Sequence, residues 1–278
     1  ASRFNSKGEA TRQAEALVAA LRSRGIDTAL LISDRDDYDP AVYPLTNEDL
    51  LRSARYQSDL EHRWRRYLAK VGGEPSRGAF ADMWAARAMS LKRSRETKAM
   101  WPWSKGVPGR AAAKRLLNID LSHLRVLDAG LDERAAWVLA LEDDARVASI
   151  TQTADELVAA IAWLARTPIA FVCLSESIPL ERLGIRGLVG GHIGRTAPYW
   201  LTATTTPVTN TVCANLYRGS FASNFARAVR RAGLLPVAPI DWRLNEYVMA
   251  SLRSGELSQD ACAWALPGLF LQGSMHPD

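Results

Sequence analysis

An α/β fold, with a mixed, mainly parallel sheet flanked by helices in a single domain, is predicted by three features of the chain. Short apolar runs alternate with amphipathic helical stretches, the pattern left by strands joined through crossover helices. One of these runs, Val138-Leu139-Ala140-Leu141, stops abruptly at three consecutive carboxylates, Glu142-Asp143-Asp144. The length of 278 residues, with 47% hydrophobic and 23% charged residues, matches an ordinary globular protein with ample core to bury.

Residues 6 to 24 place Ala14, Leu17, Val18 and Leu21 at helical spacing, and Gly25 stops that helix. Thr28-Ala29-Leu30-Leu31-Ile32-Ser33 then reads as a strand running into the acidic loop Asp34-Arg35-Asp36-Asp37. Residues 47 to 70 and 78 to 100 read as polar helices, the first with Trp64 and Tyr67 on its apolar side. Leu121 to Gly130 is a short helix leading into the strand that ends at Glu142. A helix from Ala154 to Arg166 and a strand Ile169-Ala170-Phe171-Val172-Cys173-Leu174 follow. Residues 184 to 210 are rich in Gly, Thr and Pro, which predicts loops and short antiparallel strands. A helix from Ser220 to Arg231 restores the apolar period. With no internal repeat and no low-complexity linker, a single domain is the simplest arrangement.

Composition excludes several classes. No apolar stretch reaches the roughly 20 residues of a membrane helix, and no signal-peptide core opens the chain, so a soluble protein is expected. Cys173, Cys213 and Cys262 are odd in number, widely spaced and set among apolar neighbours. Reduced, buried thiols and a cytoplasmic location follow from that usage, against a zinc knuckle or a disulfide framework. No GxGxxG follows a strand, Gly187-Leu188-Val189-Gly190-Gly191 being a loose imitation, and no GxxxxGK[ST] occurs. Any phosphate must then be held by metal and basic side chains.

The acid triplet is the strongest chemical signal. Acids just past the carboxyl end of a buried strand lie where open α/β sheets bind ligands. Adjacent carboxylates repel, and a hard divalent cation such as Mg²⁺ or Mn²⁺ balances them with oxygen ligands. An acidic turn that merely closes a strand gives the same pattern. The net charge is +5, yet nine Lys or Arg residues and one acid, Glu96, fall between Arg87 and Arg115. Within that block, Lys105 and Arg110 border a Pro- and Gly-punctuated loop suited to holding a diphosphate, although a solvated helix face with a surface loop has the same composition.

Three ordered segments carry a family resemblance. Ile119-Asp120-Leu121-Ser122-His123-Leu124, followed by Trp137-Val138-Leu139-Ala140-Leu141-Glu142-Asp143-Asp144-Ala145, resembles the Ser-His helix and the LEDDA metal motif of the glycosyltransferases grouped as family 25. These are lipooligosaccharide and collagen-type enzymes with a GT-A, Rossmann-like fold. Thr211 to Ala222 resembles the segment before the helix behind that family's acceptor site, and Pro239-Ile240-Asp241 its P-x-D element. Leu266-Pro267-Gly268-Leu269-Phe270-Leu271-Gln272-Gly273-Ser274 resembles its closing stretch. Ile119-Asp120 stands where the family usually has Gly-Cys.

The resemblance implies a metal-dependent transferase moving a sugar from a nucleotide-diphosphate donor, a UDP-sugar being favoured, to the hydroxyl of a glycan or other acceptor, with inversion. Residues 1–145 would form the nucleotide-sugar half and residues 146–278 the acceptor half. Asp143 and Asp144 are the expected metal contacts with Mn²⁺ or Mg²⁺, and His276 is a C-terminal candidate for the same ion. Glu142 is expected at the ribose or sugar, and Arg3, Asn5 and Asp34 near the nucleoside by their place in the GT-A plan. His123 is a donor or acceptor contact or a structural histidine. Asp241, with Glu246 second, is the candidate base for the acceptor hydroxyl, while Asp241 also suits a helix N-cap before Trp242-Arg243-Leu244-Asn245. His62 and His192 have no constellation around them and receive no role.

Two rival classes are distinguishable. A two-metal phosphoester hydrolase would need several further His and Asp ligands, and the chain has only four histidines. A nucleic-acid-binding protein would use the basic segment 87–115, with Trp101 and Trp103 for stacking. The ideas merge in a glycosyltransferase whose acceptor is a modified DNA base.

Overall fold

The computed structural model describes residues 7–33, 41, 110–132, 134–176, 189–192, 200–203, 209, 212–233, 240–258 and 260–273. In chain order the elements are α1 Lys7–Arg22, α2 Arg110–Asp132, β1 Trp137–Leu141, β2 Ala145–Arg146, α3 Ile150–Leu164, β3 Phe171–Cys173 and β4 Ser175–Glu176. They continue with β5 Val189–His192, β6 Trp200–Ala203, β7 Ala214–Arg218, α4 Gly219–Ala232, α5 Ile240–Ser254, β8 Cys262–Leu266 and β9 Phe270–Gln272. Among the described residues no helix is long and apolar enough to cross a membrane.

The six-stranded sheet has the order β1-β7-β3-β8-β6-β5. Its class is α/β and mixed, but it is not mainly parallel. Only β3 and β8 are parallel neighbours, and the other four pairings are antiparallel. Helix α3 carries the chain from β1 to β3 in the same direction, and β7 then inserts in reverse between them. One potential parallel pairing thereby becomes two antiparallel ones, an outcome that strand-helix alternation does not encode. A second sheet, β2-β9-β4, lies next to the first.

Helices cover both faces. Ala154, Leu157, Ala160 and Leu164 recur at helical spacing and bury α3, whose N-cap Ser149 accepts a hydrogen bond from the Gln152 amide at 3.3 Å. With Leu17 and Leu21 of α1 they pack on Val172, Ala214, Leu216 and Ala263. On the opposite face, α2, α4 and α5 cover Val138, Ala140, Phe171, Tyr217 and Trp264. There Phe221 and Phe225 of α4 contact Tyr247 of α5, and Phe171 and Tyr217 of the sheet adjoin Phe221. Each fully buried aromatic of this stack contributes roughly 1.5–3 kcal/mol by removing apolar area from water.

Two boundaries differ from the sequence pattern. The helix expected over Leu121 to Gly130 is the last part of the 23-residue α2. The apolar run Thr28 to Ser33 forms no strand among the described residues; Leu30, Leu31 and Ile32 are 40%, 39% and 42% exposed. A short apolar run lacks the information to say whether a partner strand will reach it. The antiparallel strands expected within 184–210 are present as β5 and β6. The helices expected at 47–70 and 78–100 lie outside the described residues.

Candidate active site

Strands β1, β3 and β8 point the same way, so their carboxyl ends share one edge of the sheet, where β7 begins. The acid triplet leaves β1 at this edge. The Glu142 amide donates to the Cys213 carbonyl at 2.8 Å, extending the β1·β7 ladder by one residue, and the Ala145 amide closes a turn onto the Glu142 carbonyl at 3.1 Å. Asp143 and Asp144 are therefore the central residues of a β-turn. Gly273, after β9, donates its amide to the Asp144 carbonyl at 2.8 Å. A side chain at Gly273 would come within 3.1 Å of that carbonyl and 2.8 Å of Arg146 Nε, so it would have to displace the Arg146 side chain and crowd the turn. From α1, Gln13 donates Nε2 to the Ala145 carbonyl at 2.8 Å and accepts from the Val147 amide at 3.4 Å.

The turn gives the three acids different surroundings. Glu142 continues the alternation of Val138 and Ala140 toward α2, where its Oε1 lies 3.5 Å from His123 Nε2. Asp143 is exposed. Asp144 is 7% exposed, and its Oδ1 is buried with no hydrogen-bond partner among the described residues. The Cys213 thiol is pushed up by burial and then by the negative charge of Asp144 and Glu142.

Further polar groups converge on the α2 side of this edge. Asn215 pairs with Ala140 across the ladder and is fully buried. Its Nδ2 donates to the Tyr217 hydroxyl at 3.3 Å, and its Oδ1 has no partner among the described residues. Burial raises the Tyr217 hydroxyl, the Asn215 bond opposes the rise, and the charges of Cys173, Glu142 and Asp241 add to it. Glu142 and Asp241 thus act electrostatically on one hydroxyl although they are 99 residues apart.

Asp241 lies in the first turn of α5, where the helix dipole favours a carboxylate. It is buried, and its carbonyl accepts from Asn245 Nδ2 at 3.0 Å. The same Asn245 amide clasps Thr209, donating to its carbonyl at 2.6 Å and accepting from its backbone amide at 3.4 Å. Ile240, Leu244, Val248 and Leu252 pack the inner stripe of α5 into the core.

Beneath Asp241, Asp120 of α2 and Arg243 of α5 form a buried ion pair, Oδ2 to Nε 3.4 Å, and Arg243 donates Nη1 to the Gly233 carbonyl at 2.7 Å. Burial pushes the Asp120 carboxyl up to about 8, Arg243 opposes this, and the nearby Asp241 reinforces it. Burial lowers Arg243 and Asp120 opposes that. Both partners are displaced toward neutrality because desolvation exceeds their mutual attraction.

Of the residues expected from sequence, His123, Glu142, Asp144 and Asp241 meet at this edge. Asp143 is beside them but faces solvent. Glu246 is five residues beyond Asp241, roughly 140° round the helix, where burial raises its carboxyl and Arg253 opposes the rise. Arg110 is the first residue of α2, and its side chain lies outside the described residues, as do Arg3, Asn5, Asp34, Lys105 and His276.

Sequence reasoning gave no site role to Asp120, Asn215, Tyr217, Cys213 or Asn245. One signal was available: Asp120 occupies a core position of α2, in register with Leu117, Leu124 and Leu127, where an acid needs a buried partner. Among the described residues no group of three or more His, Cys, Asp and Glu is arranged to hold a metal ion. No family model matches the chain, and no curated protein matches it.

Proposed function

We propose that the chain is a metal-dependent glycosyltransferase that moves a sugar from a nucleotide-diphosphate donor, preferably a UDP-sugar, to an acceptor hydroxyl with inversion. The observation that carries this reading is the braced turn at the sheet edge, which buries Asp144 with an unpartnered carboxylate oxygen beside Glu142. The order of the motifs resembling family 25, from Ile119 to Ser274, supports it.

The oxygen chemistry of the acid triplet supports Mn²⁺ or Mg²⁺ as the ion, with substrate completing its ligands. Asp144 offers a hard oxygen short of a partner, Glu142 and Asp143 are its neighbours, and ions of this class are bound through one or two carboxylates together with substrate phosphates and water. Asp144 would hold the ion, with Asp143 assisting, and His276 is retained as an expected ligand. A bound ion supplies Lewis-acid stabilisation of the charge that grows on the diphosphate.

The chain's own residues supply the remainder. Glu142, oriented by His123, accepts a hydroxyl of the donor. Asp241 takes the proton of the acceptor hydroxyl as its oxygen bonds to the anomeric carbon. The carbon–oxygen bond to the diphosphate breaks, and its electron pair leaves with the nucleoside diphosphate.

A thermal-shift series with UDP, with and without Mn²⁺, tests the reading. Stabilisation that needs both is expected, on the order of 2.7 kcal/mol at a hundredfold excess over Kd. Loss of that shift in Asp144→Asn with the fold retained supports the site, whereas an unchanged shift refutes it. Stabilisation by DNA without any nucleotide response would transfer the function to the basic segment 87–115.

A further inference from the structure

At the other end of β1, away from the acids, lies a depression of about 380 Å³ bounded by the end of α2, the turn before β1 and the start of α4. Its lining includes Arg134, Arg218 and Arg227 and, among the described residues, no acid. Arg218 turns its side chain away from α2 and α4: its Nε and Nη2 bond the carbonyls of Leu164, Thr167 and Ile169 and its guanidinium stacks on Trp137, so its charge is held on the α3 side of the sheet. Arg227 bonds the neutral Asn224 side chain at 2.6 Å. Arg134 has no ion-pair partner among the described residues, and the hydroxyls of Ser220 and Ser223, also in the lining, have no hydrogen-bond partner there.

We propose that this pocket binds the oxyanion of a phosphate-bearing ligand, held by Arg134 and Arg227 and by the hydroxyls of Ser220 and Ser223. Guanidinium forks and hydroxyl donors match a tetrahedral oxyanion. The start of α4 adds to the attraction, because its N-cap residue Arg218 makes no side-chain cap. The site is independent of the acid edge and requires no metal.

Nuclear magnetic resonance titration of the full chain with pyrophosphate in the presence of EDTA tests the proposal. Saturable shifts of the Ser220 and Ser223 amides are expected, with affinity falling on the order of tenfold or more in the double variant Arg134→Gln/Arg227→Gln. Both arginines are exposed, and a circular-dichroism melt matching the parent shows that the variant is folded. Ser223→Ala provides a second, milder variant that should also weaken binding. A parallel titration with a sugar phosphate separates sources: tighter binding than pyrophosphate identifies the phosphate of a larger ligand, and weaker binding a free ion. Absence of saturation up to about 10 mM, well beyond typical specific affinities, or equal affinity in the double variant, overturns the proposal.

Discussion

The two ends of strand β1 are about 13 Å apart at ordinary strand rise, and they are opposite in hydrogen-bonding character. At the carboxyl end, Asp144 and Asn215 each keep a buried acceptor oxygen without a donor among the described residues. At the amino end, Arg134, Ser220 and Ser223 are donors without an acceptor among the described residues, while Arg218 bonds three carbonyls. Buried polar groups are normally satisfied, so the two unmet acceptors at the carboxyl end call for a partner, whereas the donors at the amino end are open to solvent. On the two proposals above, the difference in sign corresponds to a cation or hydroxyl at one end and an oxyanion at the other.

Both ends share one core, and breaking that core should disturb them together. Phe171→Ala removes a fully buried ring at the centre of the sheet, with an expected loss of about 3–5 kcal/mol in denaturant unfolding. Arg218→Ala should cost about 2–3 kcal/mol, because three carbonyls lose a charged donor. A loss much smaller than this would show that the amino end is not held by that side chain.

The carboxyl end should respond to pH. Asp120 has a folded-state pKa near 8, above its ordinary value, so between the two the folded state holds a proton that the unfolded state has lost. Stability from this group is therefore complete below about pH 4 and declines as pH rises toward 8. Asp120→Asn should flatten that slope in urea melts taken across the range, and an unaltered slope would assign it to another group. Asp144→Asn has the smallest expected effect on stability, within about 1 kcal/mol, because the residue already lacks a full set of partners. A large destabilisation would make Asp144 a structural anchor and erase the contrast between the ends.

Legibility in the sequence followed the range of the interactions. Helix α3 and helix α4 were visible because Leu157, Ala160 and Leu164, and likewise Phe221, Phe225 and Val229, repeat at short spacing. Strand direction was not, because the reversed insertion of β7 depends on pairings between residues far apart in the chain. Leu30, Leu31 and Ile32 illustrate the same limit, since apolarity alone does not supply a neighbouring strand. Glu142 and Asp144 stood out as acids ending an apolar run. Asn215 and Tyr217 did not, since single polar groups in a buried strand acquire meaning only when Glu142 and Asp241 are brought beside them.

The bond from the Gly273 amide to the Asp144 carbonyl has a consequence for biosynthesis. The carboxylate corner is translated before its brace, which follows 129 codons later, from Asp144 to Gly273. A nascent polypeptide halted before that glycine would carry every acid of the corner and still lack the geometry to hold them. Closure of this corner thus waits for the synthesis of β9 and the glycine that follows it.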